Sequence, residues 1–206
     1  MADIQITQTQ PEYIPQLVEL QIVCYPTLAD SSRLKVPHFE SHLRIFPEGQ
    51  WVALDDVRVV GMSAGFLITF DFEHPNHTFD EIIGYGFFTH HDPHGAHFYG
   101  ADVSVHPDYR GRGIARRLYD ARKALVRERG LRGIVTGAMI PGFADYKMKM
   151  DAPAYVARVV AGEISDPTLS VQLRQGFRVR GLLPNYLPDS ATDGWSVLIE
   201  WVPDPS

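Results

Sequence analysis

The chain has 206 residues, 45% of them hydrophobic, enough for a sizeable core in one domain or at most two. With a formal net charge of −6, nothing in the composition suggests a general nucleic-acid binder. The single cysteine, Cys24, excludes an internal disulfide, and no run of about 18 apolar residues offers a membrane span.

The opening MADIQITQTQ has neither the basic nor the apolar segment of a signal peptide, so a cytoplasmic protein is expected. Residues 4–7 alternate as a first strand. Residues 11–25 read as a helix, with Pro15 in its first turn and Leu17, Leu20 and Val23 or Cys24 facing inward. Cys24, among Ile22, Val23 and Tyr25, reads as a buried thiol. Residues 37–46 form a second helix, with Phe39, Leu43 and Phe46 on one face. Residues 51–54 and 57–70 form an antiparallel hairpin turned at Asp55-Asp56, with Gly61 and Gly65 as bulge positions.

Residues 71–97 are rich in His, Asp, Pro and Gly and contain His74, His77, His90, His91, His94 and His97. Many spacings for metal ligands exist there. No Cys and no H-x-x-x-H helix frames them, so no metal is assigned.

Residues 99–106 alternate as a strand, which His106-Pro107-Asp108 ends because proline cannot continue a ladder. A long helix runs from Gly113, with Ile114, Leu118, Ala121 and Leu125 in one stripe. Arg112, Arg116, Lys123, Arg127 and Glu128 cover the rest, and Gly130 closes it in the left-handed conformation. The helix start, Arg110-Gly111-Arg112-Gly113-Ile114-Ala115, offers no Ser, Thr, Asn or Asp cap, and only Asp108 could reach back. Unpaired amides, the positive helix end, two glycines and nearby arginines make an anion site. The expected anion is a diphosphate.

Strand, His-Pro turn, R-G-R-G-I-A and amphipathic helix, in that order, resemble the GNAT superfamily of acyl-CoA-dependent N-acyltransferases. Residues 79–130 and 166–201 further resemble a subgroup found alone and fused ahead of carbon–nitrogen hydrolase (nitrilase-like) domains. The resemblance implies an α+β GNAT fold over the whole chain. A mixed, mostly antiparallel sheet would be flanked by helices and splayed between two parallel strands, residues 99–106 and 133–139. Residues 71–97 and 140–165 would be insertions, the second either a lid or packing.

The resemblance also implies acetyl-CoA as co-substrate and an amine of a small molecule, peptide or protein as acceptor. Backbone of Val103, Ser104 and Val105 would pair with the pantetheine arm. Amides of Gly111, Arg112, Gly113, Ile114 and Ala115, with Arg110 and Arg112, would hold the diphosphate. The Val105 amide would face the developing oxyanion. Many members carry a tyrosine acid four residues before a Gly-Phe pair; here that place holds Gln172, which cannot deliver a proton but can still contact the cofactor. The proton-handling candidates are Asp102 and Tyr186, then Tyr99 and Tyr146. His38 and His42 lie where such proteins receive the acceptor. Two classes stay open: an N-acetyltransferase, or a catalytically silent acyl-CoA binder. A homodimer is also left open.

Overall fold

The computed structural model describes residues 4–204. Strands β1 (Gln5–Gln8), β2 (Gln50–Asp55), β3 (Arg58–Ile68), β4 (His97–Val105), β5 (Gly133–Met139), β6 (Arg178–Leu183) and β7 (Ser196–Trp201) form one sheet. Their order is β1-β2-β3-β4-β5-β7-β6. Neighbours pair antiparallel except β4 and β5, which run parallel. The helices are α1 (Ile14–Cys24), α2 (Val36–Ile45), α3 (Phe79–Ile82), α4 (Ile114–Glu128), α5 (Ala152–Val160) and α6 (Leu169–Arg174). The expected α+β sheet with one parallel, splayed pair is what the chain forms.

Among the described residues the sheet has three bulges, one of them between β6 and β7 at Val179 and Gly181, and the other two lie near β4. One lies where Leu54 and Ala53 oppose Val59 and Gly61, and the other where Ala64 and Gly65 oppose Asp102 and Gly100. Both fall beside the expected glycines, but the second places its extra residue, Ala101, on β4. Gly65 is needed there because a Cβ would run into the Phe98 ring. A bulge shifts side-chain alternation by one. Phe98 and Gly100 therefore face Arg122 of α4, while Tyr99 and Asp102 share the opposite face, under α1 and the 71–97 segment.

The inner faces differ from expectation in three places. α1 turns Ile14, Leu17, Leu20 and Gln21 inward, while Val23 is exposed and Cys24 half-buried. Gln21 is accepted inside because its amide is hydrogen-bonded there. On α4 the buried side chains are Ile114, Leu118, Tyr119, Arg122, Lys123 and Val126; Ala121 and Leu125 are only half-buried. Lys123, expected on the solvent face, donates to the Gln175 carbonyl at 2.7 Å and lies over the Trp201 ring. A Lys stem covers apolar surface while its head finds an acceptor.

The 71–97 segment contains the short helix α3, started by a capping box between Thr78 and Glu81. Its histidines do not converge. His91 and His97 accept from the amides of Leu67 and Phe70, and His74 pairs with Asp71. Among the described residues no group of three His, Cys, Asp or Glu side chains is placed to hold a metal. His42 of α2 donates from Nε2 to the Gly86 carbonyl at 2.7 Å and stacks on Phe88, ring centres 3.5 Å apart. It is 1% exposed, and burial drives its imidazole down to about 3. His42 therefore fastens the segment to α2, and His38 packs edge-on against Phe87.

Within residues 140–165 one helix face is buried, while Met148 and Lys149 are exposed. Asp151 caps α5 by accepting from the Ala154 amide. Tyr155, Val156 and Val159 are buried in the same apolar cluster as Leu17, Leu118 and Ile199. The buried Asp166 accepts from the Gly142 amide and the Tyr155 hydroxyl on one oxygen, and from the Thr168 and Leu169 amides on the other.

Candidate active site

The start of α4 is uncapped. Gly113 holds the N-cap with φ 77° and no side chain accepts from the first-turn amides. Asp108 does not reach back. Gly111 also has φ 77°, and space is open in front of both glycines, with no atom within 4 Å of where a Cβ would stand. The first-turn N–H groups point outward with the positive end of a 15-residue helix behind them. Arg110 donates from Nε to the Val105 carbonyl at 3.2 Å. Arg112 donates to the Asp108 carbonyl and lies over the Tyr109 ring, 4.6 Å from its centre. Of the residues expected to hold an anion, 110–115, Gly111 and Gly113 thus face open space at the helix start.

Beside that opening the sheet parts. β4 and β5 pair only over His97–Tyr99 and Gly133–Val135. Beyond them the two strands part on the side of the α4 start, leaving a slot in the hydrogen-bond ladder, with Thr136 donating to the Gly100 carbonyl where the pairing ends. His106 donates to Val60 across the β3–β4 ladder. The alternation of an antiparallel ladder then turns the peptide groups of Val103 and Val105 away from β3, into the slot, and those of Ser104 toward β3. Ser104 instead presents its side chain on the face where Cys24 lies.

At the closed end three side chains are hydrogen-bonded in series. The Tyr186 hydroxyl is 2.9 Å from that of Tyr99, which is 2.8 Å from Nε2 of His77. Both tyrosines are fully buried, and burial raises both hydroxyls well above their ordinary range. Tyr186 lies flat on Gly137, where a Cβ would run into its ring. Asp102 stands on the same face. Its carboxylate accepts from Gln21 and from the Tyr25 hydroxyl, each at 2.5 Å. Burial pushes its carboxyl up, and those two donors oppose the shift. Beneath the bulge the buried Arg122 donates to the carbonyls of Ala64 and Asp102.

The other candidates lie apart from this group. Tyr146 packs on Tyr155, ring centres 5.4 Å apart. Gln172 is buried on α6, its side chain against the Tyr119 hydroxyl of α4. Cys24 sits near Asp102, Ser104 and Arg110, and burial, then the Asp102 charge, pushes its thiol up to about 11. His77 had no signal beyond being one of six histidines in its segment; only the three-dimensional pairing singles it out.

A profile of the Acetyltransferase (GNAT) family matches residues 14–141. The chain is also 33% identical over 189 residues to the uncharacterized N-acetyltransferase YkwB of Bacillus subtilis, covering 91% of this chain and 84% of that protein. The chain belongs to the GNAT acetyltransferase family. This GNAT protein is 39% identical over 95% of its length to the probable hydrolase YhcX of Bacillus subtilis, and spans 38% of that longer protein. Its fold overlays the GNAT-like decarboxylase GphF, solved with isobutyryl-CoA, at a TM-score of 0.82 and 23% identity, over 96% of this chain and 98% of that one. The ribosomal-protein-S18-alanine N-acetyltransferase of Escherichia coli overlays at 0.60 and 10% identity, over 99% and 96%. Such distant likenesses establish the GNAT fold alone. Among the described residues no helix is long and apolar enough to cross a membrane.

Proposed function

We propose that the protein transfers an acetyl group from acetyl-CoA directly to an amine of a small molecule, peptide or protein. The observation that carries this reading is the uncapped α4 start opening onto the β4–β5 slot. The first-turn amides, with Arg110 and Arg112, hold the diphosphate. The pantetheine arm lies in the slot and pairs with the peptide groups of Val103 and Val105, as an added strand does.

Strand geometry sets where the reacting carbon falls. Six residues separate Val105 from Tyr99, about 20 Å of strand at roughly 3.3 Å per residue. An arm anchored at residues 111–115 therefore carries its thioester past Val105, toward Ala101. A bulge leaves its extra residue unpaired, so the Ala101 amide is free to donate. We assign the oxyanion contact to that amide rather than to Val105, which keeps the arm. Both Asp102 oxygens are already engaged, by Gln21 of α1 and by Tyr25 just past its end, so Asp102 positions α1 against β4. Tyr186 takes the proton-handling role. Gln172, turned to Tyr119, supports α4 rather than the cofactor.

Calorimetry with acetyl-CoA, combined with thiol release over a panel of primary amines, tests the reading. Binding in the micromolar range with release for at least one amine is expected. Binding without release for any amine would favour the silent acyl-CoA binder, and no heat with any CoA ester would remove the reading altogether.

A further inference from the structure

We propose that His77, from the inserted segment, is the proton-accepting end of a one-way relay, Tyr186 to Tyr99 to His77, leading from the closed end of the slot toward solvent. The inference rests on the acyl-transfer reading and assigns His77 a role in it.

The direction follows from the hydrogen bonds. Nδ1 of His77 is 2.7 Å from the Pro75 carbonyl, which can only accept. In a neutral ring Nδ1 therefore carries the hydrogen and Nε2 is a bare lone pair. Tyr99, 2.8 Å away, must donate to that lone pair. The Tyr99 oxygen then accepts from the Tyr186 hydroxyl at 2.9 Å. What remains is the acceptor side of the Tyr186 oxygen, which the Gly137 amide also approaches, where β4 and β5 part. The chain is polarised from end to end and ends on a half-buried ring.

Three other segments lock this geometry. Gly137 allows Tyr186 to lie on β5. The Phe79 amide donates to the Tyr186 carbonyl at 2.7 Å, tying α3 to the loop that carries Tyr186. Phe70 packs edge-on against His77, ring centres 5.6 Å apart. Burial holds His77 below its usual range, outweighing the nearby carboxylate of Glu81 on α3. The titratable groups facing the ring are Glu81, Tyr99 and Tyr186. The ring is therefore neutral at pH 7, and Nε2 carries no hydrogen of its own.

The step balances without a further reactant. An ammonium acceptor gives one proton to the Tyr186 oxygen as Tyr186 passes its own to Tyr99 and Tyr99 passes its own to Nε2. No phenolate accumulates, as the raised tyrosine hydroxyls require. The free amine attacks the thioester carbon. The C–N bond forms, the C–S bond breaks with its electron pair on sulfur, and the second amine proton reaches the thiolate. His77 then releases its proton to solvent.

The test compares the native protein with His77→Gln and Tyr99→Phe, using acetyl-CoA and the amine panel from pH 6 to 10. Acetyl-CoA affinity should stay within about twofold. At pH 7 kcat should fall about 100-fold in each variant, and no further in the double variant, because both break one path. The defect should shrink as pH rises toward about 10, where an amine sheds its proton unaided. Ring 15N shifts of His77 should report hydrogen on Nδ1 and a bare Nε2, a readout independent of turnover and of variant folding. A defect of equal size at every pH, no defect, or hydrogen on Nε2 overturns the relay while acyl transfer stands. A native protein that releases thiol with no amine overturns both.

Discussion

Arg122 and Asp102 attract each other through the sheet, but their direct contact is through the backbone. The Arg122 guanidinium donates to the Asp102 carbonyl, and to that of Ala64 at 2.6 Å. The Asp102 carboxylate is turned to the opposite face, where Tyr25 and Gln21 donate to it. The bulge at Ala101 produces both facts, since it frees two carbonyls on one side and reverses the side chain to the other. Arg122 is desolvated enough that its guanidinium is lowered to about 10. Removing it strands two buried carbonyls. Arg122→Met should cost about 3 kcal/mol or more in urea unfolding, and a loss below about 1 kcal/mol would show that the bulge holds itself.

His42 predicts an acid-side loss of stability. Its imidazole stays neutral in the fold down to about 3, whereas the unfolded chain protonates it near 6.5. A lowered folded value means the contribution is whole above 6.5 and drains as pH falls toward 3, at about 1.4 kcal/mol per pH unit. His42→Gln can still donate to Gly86 and cannot titrate. Its unfolding free energy should fall less steeply than that of the native protein across this window. Parallel slopes would place the acid sensitivity elsewhere.

Gly113 and Gly130 make a matched pair at the two ends of α4. Both are left-handed, at φ 77° and 63°, and neither has an atom within 4 Å of where an alanine methyl group would stand. Alanine at either should cost about 1–2 kcal/mol of backbone strain. Only Gly113→Ala should also weaken acetyl-CoA binding, by tenfold or more in calorimetry, because only its methyl group stands at the uncapped α4 start, the proposed diphosphate site. Equal affinities in the two variants would move the diphosphate site.

Gln172 bears on what this chain does without the tyrosine acid found at that place in many relatives of its fold. The side chain is 6% exposed and lies against Tyr119. A tyrosine there overpacks the α4–α6 contact, so Gln172→Tyr should lose about 1–3 kcal/mol and gain no turnover. A faster enzyme would mean that the acid was simply missing.

Cys24 should be inert. With its thiol raised to about 11, little thiolate exists at neutral pH. Iodoacetamide at pH 7.5 should label the native protein far more slowly than the protein in urea. Rapid native labelling would reveal an activated thiol beside the slot.

Much of this molecule is written locally. The uncapped Gly111–Gly113 start, the His-Pro strand end, the Asp151 cap and the alternating strands depend on near neighbours, and local chemistry is legible along a chain. Those features are enough to point to the anion opening and the strand beside it. Periodicity read α4 less well, choosing Ala121 and Leu125 over Arg122 and Lys123, because a buried cation is decided by acceptors on distant strands. The proton path lay further out of reach. His77 and Tyr99 are 22 residues apart, and Tyr99 and Tyr186 are 87 apart. One bulged residue decides that Asp102 shares their face. Hydrogen bonds between such separated groups exist only once the sheet has closed, so the sequence determined the fold and the uncapped glycine turn, and the tertiary structure alone decided which polar side chains meet behind them.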